Sequence, residues 1–157
     1  MTRLGFLSTA ILWLASVLAP APAAAQSAAG VTGAAEATFP DGATFNGIPL
    51  RGLTLGQGMS IAPDGSATGQ FQAVLLGSSL LGTAQNITVE GEVGSGSVGA
   101  DGSATFSGTA TVDMGDGTPA LPGVPFTVTV SAGSVGLILN AVALPTATLS
   151  AGSITVK

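Results

Sequence analysis

The sequence predicts an all-β protein, a single antiparallel β-sandwich or barrel-like meander behind a cleaved signal peptide. Three observations carry this reading. Apolar and hydroxyl residues alternate with a period of two in several windows, four of the five aspartates are followed by glycine, and no window shows the three-and-four apolar spacing of a capped helix. Composition agrees: 7% of residues are charged, against about 25% in ordinary soluble domains, and Ala, Gly, Ser, Thr and Val dominate.

From the N-terminus, Arg3 gives a short basic start, 4–19 form an apolar run, and Ala23-Ala24-Ala25 is a small-residue cleavage site behind Pro20 and Pro22. That order predicts a secretory signal peptide over 1–25 and a single all-β domain over 26–157. The run is too short, and too close to its cleavage site, to read as a membrane anchor. No Cys follows it to take a lipid, and a lone arginine gives no twin-arginine signal. The predicted location is therefore secreted: periplasmic, cell-surface or extracellular.

Residues 27–30 read as a loose start. Leu53, Leu55, Met59 and Ile61 supply the first apolar face. Next come Phe71, Ala73 and Leu75 with Gln70 and Gln72 turned away, then Ile87, Val89 and Val93 against Thr88, Glu90 and Glu92. The clearest strand is 103–114, where Ala104, Phe106, Gly108, Ala110, Val112 and Met114 share one face. Phe126, Val128 and Val130 repeat the pattern, and Ile154 with Val156 close it. The continuous apolar run at 133–144 reads first as a strand buried on both faces and second as a short helix. Asp41-Gly42, Asp64-Gly65, Asp101-Gly102 and Asp116-Gly117 mark hairpin turns, since Asp tolerates and Gly favours the left-handed region. Asp64-Gly65-Ser66-Ala67-Thr68 recurs identically at Asp101-Gly102-Ser103-Ala104-Thr105, and two similar hairpins account for this better than a repeat architecture. Prolines at Ile48-Pro49, between 120 and 125 and at Leu144-Pro145 mark strand starts, edges or crossings.

The chain has no Cys, His or Tyr, which removes disulfides and the usual ligands and bases of zinc, haem, copper and triad chemistry. No catalytic residue, cofactor or metal site is predicted. Past the leader, only Arg51 and Lys157 are basic among eight acids, so nucleic acid is excluded as a partner and no transmembrane segment follows the leader. Glu90 and Glu92 share a strand face roughly 6 to 7 Å apart, the spacing of a glycosidase pair. With no Trp or Tyr beside them to stack a sugar, they read as a solvated face. Asp113-Met114-Gly115-Asp116-Gly117 has oxygen ligands for Ca²⁺ but too few, and reads as a turn. Arg51 is read as a charge blunting an edge strand or pairing with Glu90 or Glu92. Asn86-Ile87-Thr88 fits the glycosylation triplet and is given little weight.

The hydroxyl-rich outward faces are the informative feature. The plain reading is that Thr is a good strand former that is content in water; the competing one makes Thr105, Ser107, Thr109, Thr111, Thr127 and Thr129 a candidate interaction face. The function expected is a secreted, non-catalytic structural, adhesive or surface-interaction module whose partner is itself or a cell-surface or matrix component. The alternative is an extracytoplasmic barrel carrying a small apolar ligand. Ice binding through Thr rows comes last, because it needs an unusually flat sheet.

Overall fold

A computed structural model describes residues 28–157. The predicted signal peptide and its cleavage site lie outside the described residues. The strands are β1 (Ala29–Thr38), β2 (Thr44–Phe45), β3 (Ile48–Ile61), β4 (Ser66–Gly77), β5 (Ile87–Val98), β6 (Ala104–Asp113), β7 (Leu121–Ser131), β8 (Ser134–Leu139), β9 (Val142–Ala143) and β10 (Ala147–Val156). Every pairing is antiparallel, and the described residues contain no helix.

The meander runs β3-β4-β5-β6-β7-β8; β8 then pairs with β10, β10 with β1, and β1 returns to β3. Eight strands thus form a closed ring, with β2 and β9 as short additions. Of the two architectures expected, the chain takes the barrel. Closure follows from the pattern, because a sheet with one apolar face must cover it, and curling round covers that face and its edges together.

The alternation places side chains as expected. Leu53, Leu75, Ile87, Val89, Phe106 and Val128 point inward and are buried, while their threonine, serine and glutamate neighbours lie on the outer wall. Phe71 stacks on Phe126 with ring centroids 5.4 Å apart and meets Phe106 at 5.8 Å, so three rings fill the middle of the barrel. Offset and tilted contacts of this kind each stabilise by about 0.5–1.5 kcal/mol beyond the area they bury.

Two details differ from the sequence reading. The run at 133–144 holds strand β8, a turn and the short β9, and only one face of β8 is buried. Val135, Leu137 and Leu139 point inward, Ile138 is exposed, and the chain turns at Asn140 and Ala141, both at positive φ. A single-layer barrel wall always has one wet face, so no strand in it is covered on both. The expected loose start at 27–30 is shortened, because β1 begins at Ala29 and Gly30 exchanges backbone bonds of 2.9 Å with Lys157.

The barrel has two ends. One, the hairpin mouth, holds the β3–β4, β5–β6 and β7–β8 turns with the start of β1 and the finish of β10. The other carries the connections β1–β3, β4–β5, β6–β7 and β8–β10.

Candidate interaction surface and barrel mouth

The threonine face is built by register. Thr105 lies opposite Thr129, and Ser107 opposite Thr127, across β6 and β7. Thr109 and Thr111 face Glu92 and Glu90 across β5 and β6. The structure thus gathers all six predicted residues on one stretch of outer wall. Thr109, Thr111 and Thr129 are exposed and Thr105, Ser107 and Thr127 half-buried. Thr105 and Thr129 share a hydroxyl contact of 3.1 Å, and Ser95 and Ser107 one of 2.9 Å.

Beside this face, Glu90 and Glu92 are flanked by Gln70, Gln72, Thr109 and Thr111 round a shallow depression of about 350 Å³. Its floor passes over Gly91, on which the Phe126 ring rests from inside: a Cβ there would lie 2.6 Å from Phe126 Cε1. The two glutamates are therefore side chains of an exposed wall. Arg51 is exposed, at a register shift between Leu50 and Gly52 near the connection end. It lies two strands from the glutamates and at a different height, since Leu50 and Gly52 meet Gly77 and Leu76 whereas the glutamates meet Gln72 and Gln70.

The aspartates serve turns. Asp64 Oδ1 accepts from the Ser66 N–H at 2.9 Å and hydroxyl at 2.6 Å, and Asp101 repeats this with Ser103 at 3.0 and 2.6 Å. Asp116 does the same with Thr118. These bonds, the hydroxyl one foremost, hold all three carboxyls below the ordinary aspartate range. Asp113 Oδ1 takes the Gly115 N–H at 2.8 Å, so both acids of the loop considered for calcium are occupied by their own backbone. Among the described residues, no three acidic side chains are grouped to hold a metal ion.

Three turns share one backbone frame. In Ala62-Pro63-Asp64-Gly65 and Gly99-Ala100-Asp101-Gly102 the glycine N–H bonds the first carbonyl at 3.0 Å, and the first N–H bonds the residue after the glycine at 2.8 Å. The β4–β5 connection repeats this in Ser79-Leu80-Leu81-Gly82, with bonds of 2.9 and 2.8 Å and Gly82 at φ 77°. A Ser79–Thr83 hydroxyl contact of 2.7 Å stands where the other turns have their aspartate bonds. Leu80 and Leu81 hold the places of Pro63 and Asp64, and are 95% and 92% exposed. Sequence reasoning missed them because leucine carries no turn signal; the spacing to Gly82-Thr83, matching Gly65-Ser66 and Gly102-Ser103, was the available clue.

Gln57 was missed for a similar reason. It stands at the period-two place between Leu55 and Met59, so the chain turns it inward, 9% exposed, and neither amide atom has a hydrogen-bond partner. At the hairpin mouth, β8 and β10 share two ladder pairs, Val135–Ala147 and Ser134–Thr148, after which the Leu149 N–H bonds the Gly133 carbonyl at 2.9 Å. Beyond Leu149, among the described residues, β10 pairs with β1 alone. The wall parts there into a recess of about 560 Å³ lined by Val130, Leu149, Ile154 and Val156, with Asp101 and Ser153 among its polar groups.

No protein-family model, curated protein or solved structure matches the chain. Its fold class stands on its own pairing pattern: an all-β, closed antiparallel barrel with an apolar interior and a hydroxyl-rich exterior. No helix of the described residues is long and apolar enough to cross a membrane.

Proposed function

We propose that this protein is a non-catalytic interaction module working outside the cytoplasm, holding a cell-surface or matrix component, or further copies of itself, through the outside of its barrel. The Leu80–Leu81 turn carries this reading. Its backbone frame is one the chain builds elsewhere from Pro-Asp and Ala-Asp, so apolar side chains are not needed to make it. Two leucines fixed on an ordered tip, almost wholly in water, gain about 1.5–3 kcal/mol each when a partner covers them. The low-charge threonine wall supports the same reading, since little electrostatic repulsion opposes close approach. Curvature of a closed barrel weighs against ice binding, which needs a flat row.

The test compares wild type, Leu80→Ser with Leu81→Ser, and Thr109→Lys with Thr129→Lys, by light scattering and by retention on cells, matrix and ice. Loss of each buried leucine contact should weaken binding roughly 10- to 150-fold, with thermal stability unchanged because the leucines touch no core. A wild type that stays monomeric at high concentration and is retained on none of these surfaces would refute the proposal.

A further inference from the structure

We infer that the hairpin mouth is a binding site for a small, mainly apolar molecule bearing one carbonyl or hydroxyl group, with Gln57 as its hydrogen-bonding partner inside the barrel. Two independent observations meet there. The first is the recess where β8 and β10 part: about 560 Å³, within the range of roughly 300–1,000 Å³ typical of small-molecule sites. Its apolar wall consists of side chains that belong to the barrel's inner face. Val130 precedes the β7–β8 turn, while Leu149, Ile154 and Val156 are inward residues of β10 that are only half-buried. The recess is therefore bordered by inner-face side chains, and is distinct from the depression on the outer wall.

The second observation is Gln57. A buried amide with neither atom bonded is rare, because the cost of desolvating it is returned only when a partner accepts and donates. Register places Gln57 level with this recess: Gly33 of β1 pairs with Gln57 on one side and with Ile154 on the other. Gly33 has no side chain to stand between them, and a Cβ at that position would run into the Ser153 carbonyl. Gly69, the inward residue of β4 opposite Met59, is packed tightly against β3, where a Cβ would run into the Gly58 carbonyl and Met59. Phe71, directly opposite Gln57 in the β3–β4 register, meets Phe106 and Phe126 in the barrel's middle, so a ligand enters only as far as this aromatic cluster. The amide selects for a ligand oxygen: its N–H₂ donates to a carbonyl, or its carbonyl accepts from a hydroxyl. Neither glutamine atom carries charge, and the Asp101 carboxylate stands among the groups lining the recess, so an anionic ligand is disfavoured there.

The experiment is an amide-shift titration of the ¹⁵N-labelled protein with acetophenone and with ethylbenzene, probes of similar size that differ in one carbonyl. Saturating shifts are expected at Ser131–Gly133 and Gly152–Val156 with both. Gln57→Leu should weaken acetophenone about 2- to 13-fold, the worth of one neutral hydrogen bond, and leave ethylbenzene within twofold. Ile154→Gln, at a half-exposed position that tolerates polarity, should weaken both. Absence of saturation by either probe, shifts centred outside the mouth, or equal effects of Gln57→Leu on the two probes would each overturn the inference. Leu80→Ser with Leu81→Ser should bind both probes as wild type does, so failure here leaves the surface reading standing, and the converse.

Discussion

Gly91 leaves no room for a side chain inside the barrel. An alanine Cβ there would sit 2.6 Å from Phe126 Cε1 and 2.9 Å from its Cζ, against a comfortable carbon–carbon separation of about 3.5–4.0 Å. The ring must withdraw by about 1 Å, yet it is stacked on Phe71, which in turn meets Phe106. Overpacking of this kind costs about 1–3 kcal/mol. For a domain of about 130 residues, where 1 kcal/mol shifts Tm by roughly 3–5 °C, Gly91→Ala should lower Tm by about 3–15 °C. Phe126→Leu removes the obstructing ring, so Gly91→Ala should cost much less in that background, with a coupling of about 1–2 kcal/mol. The assay is urea unfolding of all four proteins followed by far-ultraviolet circular dichroism, because the sole tryptophan, Trp13, lies outside the described residues. A cost for Gly91→Ala below about 0.5 kcal/mol, or the same cost in both backgrounds, would refute the packing argument.

Gln57→Leu should stabilise the protein by about 1–3 kcal/mol, since it replaces an unpartnered buried amide with an apolar side chain of similar size; a lower urea midpoint than wild type would count against it. Acid should weaken the fold through Asp64, Asp101 and Asp116, whose carboxyls are held low by their hydroxyl and backbone partners. A lowered folded pKa gives stability present above the unfolded value of about 3.9 and lost as pH falls through the folded one. Melting curves from pH 7 to pH 2 should therefore be less steep in pH for the triple Asp→Asn variant than for wild type, and identical curves would contradict this. Thr109→Lys and Thr129→Lys, both outward and exposed, should each change stability by less than about 0.5 kcal/mol, as chemical denaturation will show.

The inner faces of β3 to β7 were legible because Leu, Val, Ile and Phe alternate with Thr, Ser, Gln and Glu, and the turns because Asp-Gly pairs punctuate them. β1 was not. Its inward residues are Val31, Gly33, Ala35 and Ala37, too small to give a periodic signal, yet this strand joins β3 to β10 and closes the ring. Closure between strands more than a hundred positions apart is a long-range property that local pattern does not encode. The six hydroxyl residues of the candidate face were found because strand period fixes their side. Leu80, Leu81 and Gln57 were not, since each stands where its residue type gives the wrong local cue: leucines in a turn and an amide in a core row.

The seam between β8 and β10 makes the C-terminal strand a keystone. Strands β1 through β8 form a continuous sheet in chain order, and β10 is the piece that fits between its two edges, fully along β1 and by two rungs along β8. Until residues 147–156 arrive, the outer edge of β1 is a long unpaired template, and it is complementary to the same segment of any neighbouring chain as much as to its own. With two ladder pairs against eight, the β8 side of this strand is the weaker of its two seams.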